Sequence, residues 1–289
     1  MAQIDLKYPM YAPLTEDEAS RTFEYGDGKV AAKAIRVDIS LNVVDSPLYA
    51  DGEVAERLRE FIDGTMTFTP DDLSPEVRGD WLGNQTEEET VGEETVEVLD
   101  SSTDDLPGYF GFGYIIPKVK NKVRYYRAIF FPKVQFGEPN ETAETKGENI
   151  TWQTPAIEGK IMRRIDGRWK REITVASLDT AINWLRKHLN IPKPEDAYLT
   201  ALSIGSLVLS PEFDGAVKSY STSTTTATAT ITAVAAKEGA TVEIKVGDTS
   251  VDNGDSATFT LGENIITIMV TYKTVSTTYT VKVTHSEEE

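Results

Sequence analysis

The sequence contains no cysteine and only two histidines, His188 and His285. The absence of cysteine excludes a disulfide framework, a thiolate nucleophile and a cysteine-based zinc site. Neither histidine lies near a nucleophile motif, and no G-x-S-x-G segment is present to expose a reactive serine. We therefore expect no catalytic residue, no metal site and no cofactor, and predict that the protein is not an enzyme. His188 is interpreted as a helix C-terminal residue that interacts with the helix dipole.

The sequence also lacks long apolar runs and a secretion signal. No apolar run approaches the roughly 20 residues that a membrane-spanning helix needs. The first residues, "MAQIDLKYPMYAPLTEDEAS", have no basic region followed by an apolar core. We expect no membrane contact, and synthesis in a cytoplasm with release, if any, by lysis.

Positive charge is scarce, since 29 basic residues face 47 acidic ones and the net charge is −18. A field of this sign repels the nucleic-acid backbone over about one Debye length, so tight DNA binding is not expected. The charge is compatible with simple solubility. It is also compatible with a conduit through which DNA passes without specific binding, although charge alone favours solubility.

The clearest boundary in the chain follows a predicted helix at residues 177–190, capped by Ser177 or Asp179. Pro192 and Pro194 cannot continue that helix. The sequence therefore predicts a first domain at residues 1–190, a Pro-rich connector at 191–198 and a second domain at 199–289.

The second domain is a series of short segments in which apolar and polar residues alternate, with turn residues between them. Even the Thr-rich segment "SYSTSTTTATATITAVA", residues 219–235, alternates from Ala227 onward. About seven strands without helices predict an immunoglobulin-like β-sandwich. The inward-facing residues of the later strands are expected to be Val242, Ile244, Val246, Ala257, Phe259, Leu261, Ile266, Ile268, Val270, Tyr272, Tyr279, Val281 and Val283.

This domain resembles cadherin-like or bacterial Ig-like sandwich repeats, through "LTALSIGSLVLSPEFDGAVKSY" and "GENIITIMVTYKTVSTTYTVKV". The acidic calcium motifs of true cadherins are missing, so the resemblance implies no metal. "DNGD", residues 252–255, is interpreted as a turn.

The first domain is predicted to be mainly β. Strand-like segments cover residues 29–44, 65–69, 92–99, 109–119, 122–136, 150–163 and 168–175. A hairpin turn is expected near Asn121, and a helix is expected at 73–83, with Ser74 as its cap and Gly83 at its end. Strands with two short helices form an α+β β-barrel or sandwich.

Two smaller motifs are interpreted as structural. In "PGYFGFGY", residues 107–114, the glycines are spaced wrongly for a dinucleotide loop, and they are expected to relieve crowding in an aromatic strand or to let another backbone approach it. Asp71 and Asp72 are expected to have capping or loop roles.

Charges of opposite sign are segregated along the first domain. Ten acidic side chains lie between Asp80 and Asp105, and "KVKNKVRYYRAIFFPK", residues 118–133, contains no acid. These stretches could pair between copies of the chain, or both could be solvated faces. The candidate subunit contacts are Lys118, Lys120, Lys122, Arg124, Glu87, Glu88 and Glu89.

Most of residues 1–190 resembles the major tail tube proteins of long-tailed, non-contractile bacteriophages. The resemblance is carried by the order and spacing of "LKYPMYAPLTEDE", "SLNVVDSPLYADGEVAE", "DLSPEV", "LPGYFGFGY", "FPKVQFGEPNETAETKGENITWQTPAIEGKIM", "DGRWK" and "TAINWLRKHL". No single motif among them carries chemistry.

This resemblance implies a virion structural protein. Subunits would form hexameric rings that stack into a tube around the tape measure protein, with terminator and initiator proteins at the ends. DNA would pass through the lumen during genome ejection. The protein would be located in the virion tail after assembly in the host cytoplasm, and the Ig-like domain would project from the tube.

Two other classes of function compete with this prediction. One is a cell-surface or carbohydrate-binding module in which the Ig-like domain binds the target, although the missing signal peptide disfavours it. The other is a hydrolase, which the shortage of histidine and of any acid–base signature disfavours.

Overall fold

The computed structural model describes residues 2–3, 5–51, 53–145 and 152–287. The chain divides into two compact units, residues 1–191 and 192–289. Both units are built mainly from β-strands. Part of one motif that resembles the tail tube family, residues 146–151, lies outside the described residues.

The first unit combines twelve described strands with two helices. Its strands are β1 (Ala2–Gln3), β2 (Lys7–Asp17), β3 (Thr22–Tyr25), β4 (Lys29–Val30), β5 (Ala34–Ala50), β6 (Glu53–Pro70), β7 (Gln85–Val91), β8 (Glu94–Asp100), β9 (Tyr109–Lys120), β10 (Val123–Asn140), β11 (Ala156–Met162) and β12 (Arg171–Val175). Its helices are α1 (Pro75–Leu82) and α2 (Leu178–His188).

The main sheet of the first unit has the strand order β3-β2-β9-β10-β11-β6-β5. Outside this path, β1 pairs with β9, β4 with β2 and β12 with β10. Among the strands that the structure describes, β3 and β5 each have a sheet neighbour on one side only, so the path is open. Strands β7 and β8 form a separate two-stranded hairpin.

Apolar side chains cover both faces of the central strands β2, β9 and β10. One face is aromatic and packs against α1, where the ring of Trp81 stacks on Phe136 with 3.9 Å between the ring centroids. The opposite face packs against α2 through Ala181, Leu185 and Leu189. Burial on both faces explains why β9 is a nearly continuous run of buried residues.

Both helices match the predictions from sequence. The Ser74 hydroxyl accepts from the Val77 amide at the start of α1, and Gly83 ends that helix with a φ of +78°. The Ser177 hydroxyl caps α2 by accepting from the Thr180 amide. The hairpin turn between β9 and β10 falls at Asn121 and Lys122, which have φ values of +51° and +65°.

Several strand predictions are corrected by the structure. The segment predicted at 65–69 is only the end of the 18-residue strand β6, and 92–99 is part of the β7–β8 hairpin, whose turn contains Gly92 at a φ of +69°. The segment predicted at 29–44 is interrupted between β4 and β5. Of the segment predicted at 150–163, residues 150 and 151 lie outside the described residues and the strand covers Ala156–Met162.

The predictions missed strand β2 because it contains Pro9 and Pro13, and proline argues against a strand interior. A β-bulge between Lys7 and Met10 accommodates Pro9. The carbonyls of the two prolines still accept hydrogen bonds, from the amides of Ala31 and Gly26 respectively.

The second unit is a two-sheet sandwich. Its strands are β13 (Leu199–Ile204), β14 (Ser219–Thr224), β15 (Thr228–Ala235), β16 (Thr241–Val246), β17 (Thr249–Val251), β18 (Ser256–Thr258), β19 (Gly262–Tyr272) and β20 (Val275–His285). One sheet has the order β13-β15-β18 and the other has the order β14-β20-β19-β16-β17. Strands β14 and β20 are parallel, with register partners from Ser219 and Thr280 to Thr224 and His285.

The Thr-rich segment forms strands β14 and β15 of this sandwich. Ile231 and Ala233 are buried, while Thr228, Thr230 and Thr232 are exposed, as the alternation predicts. One predicted inward residue is wrong, because Leu261 is 58% exposed. Strand β18 ends at Thr258, and Gly262 has a φ of +97°, so the chain turns before Leu261 can continue the alternation.

Most of the predicted connector, which the two prolines predict to be short and stiff, lies within the second unit. Residues 192–198 belong to the second unit, and Pro194–Ala197 form a 3-10 turn there. Ala197 is fully buried, and the Asp196 carboxylate lies 3.4 Å from the Lys237 ammonium. The two prolines stop α2, and the following residues pack against the sandwich.

Candidate assembly surfaces

The turn between β9 and β10 carries a concentrated positive charge, which we call the basic turn: Lys118, Lys120, Lys122 and Arg124. The left-handed residues Asn121 and Lys122 reverse the chain in two residues, as in a tight hairpin. These four cations form no salt bridge within the part of the chain that the structure describes. Their charges are therefore available to an outside partner.

The acidic run forms the β7–β8 hairpin, which we call the acidic hairpin. Glu88 lies directly opposite Glu97 in the strand register. Like charges at directly opposed positions destabilise a strand pair. Glu87 and Glu89 lie opposite Val98 and Val96, so one face of the hairpin alternates acidic and apolar side chains.

The structure does not bring the acidic hairpin and the basic turn together within one chain. The acidic hairpin precedes the start of β9, and the basic turn follows its end. A strand of 12 residues spans about 40 Å at roughly 3.3 Å per residue. The hairpin rests on α1, where Thr86 and Leu99 pack around Gly79. Contacts between these surfaces would have to be made between copies.

Two other cations of residues 118–133 are paired inside the chain. Arg127 forms a salt bridge with Glu172 of β12, and Lys133 forms one with Glu16 of β2. The stretch is free of acids in sequence, but the sheet places acidic residues from other strands beside it. Of the described residues 118–133, the cations without a salt bridge are therefore those of the basic turn.

The ends of β5 and β6 extend beyond the sheet as a long two-stranded ribbon, which we call the arm: residues 43–50 and 53–60. Pairing continues almost to the tip, from Val43 opposite Phe61 to Ala50 opposite Glu53. Its side chains are almost all exposed. Exposed apolar residues of the arm are Val44, Leu48, Tyr49, Val54 and Leu58.

A cleft of about 360 Å³ lies between β5 and the facing sides of β9 and β10. We call it the cationic cleft. Its floor is apolar and buried, and consists of Tyr114, Ile116, Ile129 and Phe131. Burial raises the pKa of the Tyr114 phenol. Arg36, Arg127 and Lys170 also line the cleft.

The perturbed titratable groups elsewhere in the first unit have structural roles. His188 ends α2, where Nδ1 lies 2.7 Å from the Trp184 carbonyl and Nε2 lies 2.8 Å from an Arg171 nitrogen. An arginine can only donate, so Nε2 accepts and Nδ1 carries the proton. Burial, together with the charge of Arg171, lowers the pKa of His188. The ring therefore caps the last turn as a neutral imidazole.

The glycines of "PGYFGFGY" allow close packing of α2, as the sequence predicts. A Cβ at Gly113 would lie 2.6 Å from Leu185 Cδ2 and 2.9 Å from the Ile129 carbonyl oxygen. Gly111 is similarly crowded by Tyr25, Leu189 and Phe130. This motif positions a helix on the sheet.

The acidic motifs that could be taken for metal sites form local hydrogen bonds. Residues 252–255 form a turn, in which Asn253 bonds to both the amide and the carbonyl of Ala233. Asp71 accepts from the Lys33 amide and Asp72 from the Leu73 amide. Among the described residues, no three histidine, aspartate or glutamate side chains are grouped to hold a metal ion.

Sequence reasoning missed the arm and the cationic cleft. The arm is exposed on both faces, so its strands lack the alternation that identifies a half-buried strand. The cleft is formed by strands far apart in sequence, and no local signal indicates it. One local clue was available, since Asp51-Gly52 is a dipeptide typical of hairpin turns and Asp51 has a φ of +52°.

No helix in the described ranges is long and apolar enough to cross a membrane.

Comparison with known proteins gives one assignment. A search of curated proteins found no match. Residues 199–286 match the family described as a cadherin-like beta sandwich domain, and the match does not extend into the first unit. The second unit of this chain is thus a cadherin-like β-sandwich domain.

Proposed function

We propose that this chain is a virion structural protein, the subunit of a phage tail tube, in which hexameric rings stack into a conduit for DNA. The observation that carries the proposal is the arm. The sequence resemblance of residues 1–190 to tail tube proteins provides the specific assignment. Tape measure, terminator and initiator proteins are the partners that the resemblance implies.

The arm is a structure that needs a partner. It extends about 25 Å beyond the sheet, taking roughly 3.3 Å for each of the residues 43–50. A lone two-stranded hairpin is at best marginally stable in water. Leu48 and Leu58 lie on one face of the arm and are 59% and 63% exposed. Burying these side chains against other copies would stabilise both the arm and the assembly.

The open sheet also supports self-association. Strand β5 is a 17-residue edge strand, and native proteins normally protect edges of this length. A contact between two different surfaces of identical subunits repeats until it closes into a ring. The net charge of −18 fits a lumen that DNA traverses without binding.

Electron microscopy of the purified chain tests the proposal. Rings or tubes are expected for the wild-type protein, and also for residues 1–191 alone. The double variant Leu48→Asp/Leu58→Asp should lose them and keep its melting temperature, because the two side chains contribute little to the subunit core. Val208→Asp is the matched control, since Val208 is an 85% exposed valine of the second unit. A wild-type protein that stays monomeric at high concentration contradicts the proposal.

A second candidate function is a cell-surface or carbohydrate-binding module carried by the cadherin-like domain. The family match at residues 199–286 favours it, because sandwich domains of this kind are common in surface proteins. Binding of the fluorescently labelled full chain to host cells and to a glycan array tests this function. Binding by a chain that forms no rings would favour the second candidate over the first.

A further inference from the structure

The cationic cleft combines an apolar floor with an excess of positive charge. Arg127 and Lys170 share one carboxylate, that of Glu172, with the Lys170 ammonium 2.7 Å away. The other charged lining residues are paired locally, Asp5 with Lys7 and Arg36 with Asp38. The chemistry that fits the cleft is therefore an apolar side chain flanked by carboxylates.

Lys118 extends this positive charge toward the basic turn. It follows Ile116 by two residues, so the two side chains lie on the same face of β9. Partial burial and the nearby charges of Arg127 and Lys170 lower the pKa of Lys118. An anion bound here would reduce the repulsion among Lys118, Arg127 and Lys170. These three cations lie near a single carboxylate, that of Glu172.

The acidic hairpin has the complementary chemistry. Its tip reads Val91-Gly92-Glu93-Glu94, and Val91 is 61% exposed. Gly92, at a φ of +69°, has no atom within 4 Å of the position that a Cβ would take, so the tip projects freely. A cleft of about 360 Å³ has room for one valine and the stems of two glutamates.

The acidic hairpin of the same chain does not occupy the cleft. Its base packs on α1, whose Trp81 stacks on Phe136 and lies near the start of β9. None of the residues that line the cleft comes from the acidic hairpin, residues 85–100. The occupant that fits is therefore the hairpin of a second copy.

We propose that the tip of the acidic hairpin, Val91–Glu94, of one copy binds in the cationic cleft of a second copy. Val91 packs on the apolar floor, and Glu93 and Glu94 pair with Arg127, Lys170 and Lys118. The contact is heterologous, since each copy offers a tip and a cleft on different parts of its surface, so it propagates in one direction. This inference rests on the proposed function, because it identifies one contact through which the copies assemble.

Engineered cysteines test the contact cleanly because the chain has none of its own. Two single variants, Glu93→Cys at the tip and Ile39→Cys in the cleft wall, are mixed and treated with the thiol oxidant diamide. A contact holds the two thiols at an effective concentration far above that of free collision, so a disulfide-linked dimer about tenfold above the control level is expected. Oxidation of each variant alone measures the dimer that forms between two identical cysteines.

The matched control pairs Glu93→Cys with Lys187→Cys, because Lys187 is exposed on α2 at the opposite face of the sheet. Dimer at the control level overturns the contact, whether or not polymers form. Electron microscopy of the same samples tests the proposed function separately, by the presence of rings or tubes. Tubes without the 93–39 cross-link would leave the tube function standing and remove this contact from it.

Discussion

At the scale of single residues, Gly113 is a point of close packing between the sheet and α2. Replacing Gly113 with alanine should destabilise the protein by about 1–3 kcal/mol, because the new Cβ forces α2 or strand β10 to move. The neighbouring backbone oxygen of Ile129 cannot rotate away as a side chain would. Chemical denaturation of the full chain measures the effect on the first unit's transition.

Gly137→Ala is the control for this prediction. Gly137 lies in the exposed part of β10, and a Cβ there would meet only the Glu158 carbonyl oxygen at 3.9 Å. A change within about 0.5 kcal/mol is expected, as for other surface substitutions. Equal effects of the two substitutions would show that α2 does not pack against Gly113 as described.

The ion pair between Arg164 and Asp166 predicts a dependence of stability on pH. Hydrogen bonding to the buried Arg164 guanidinium lowers the pKa of Asp166 below its ordinary value of 3.8. The folded-state pKa is below the unfolded one, so the stabilisation is complete above about pH 4 and is lost as pH falls through the folded pKa.

Thermal melting of wild type and Asp166→Asn between pH 7 and pH 2 measures this dependence. The variant should be less stable at pH 7, and the difference between the two proteins should shrink below pH 4. Asp17→Asn provides a second case, because hydrogen bonds from Ser20 and Ala19 also lower the pKa of Asp17, so its difference from wild type should shrink in the same way as pH falls. A constant difference for Asp166→Asn across the range would contradict the prediction.

At the scale of elements, the sequence predicts best where the signal is local. Ser74, Gly83 and Ser177 mark the helix ends correctly, because caps depend on residues within one turn. The β9–β10 turn and the alternating strands of the sandwich are also local patterns. Strand β2 escaped prediction because it contains two prolines, and the arm escaped prediction because it is exposed on both faces and lacks the alternation of a half-buried strand.

The Thr-rich strand β15 provides a prediction at this scale. Residues 196–289 should fold alone as a soluble monomer, because Ile231 and Ala233 complete a core that is contained within the second unit. Circular dichroism should show β-structure, and heating should give one cooperative transition. Ile231→Asp should abolish the transition, whereas Thr232→Asp, on the exposed face, should preserve it. A disordered spectrum for the wild-type fragment would contradict this prediction.

For the whole molecule, the separation of charge predicts how assembly responds to salt. The triple variant Lys118→Glu/Lys120→Glu/Lys122→Glu should form fewer polymers than wild type and melt at nearly the same temperature. Each exposed pair contributes only about 0–1 kcal/mol, but a ring repeats every contact. Wild-type assembly should weaken with salt as the Debye length falls from about 8 Å toward 3 Å.

Polymer yield by sedimentation, at low and high salt, measures both effects. Lys245→Glu/Lys282→Glu, two exposed lysines of the second unit, serve as the control. An unchanged yield for the triple variant would identify the basic turn as a solvated face. A higher yield would mean that these lysines repel a neighbouring copy, and that apolar contacts of the arm hold the assembly together.

The parallel pairing of β14 with β20 has a mechanical consequence for the second unit. Strand β20 runs to His285, near the end of the chain, and its partner β14 points the same way along a six-residue ladder. A force that pulls on the C-terminal end of β20, while the rest of the sandwich is held, acts along the strand axis. The hydrogen bonds between β14 and β20 run across that direction, so they are loaded together in shear. A domain pulled in this direction resists extension through several hydrogen bonds at once.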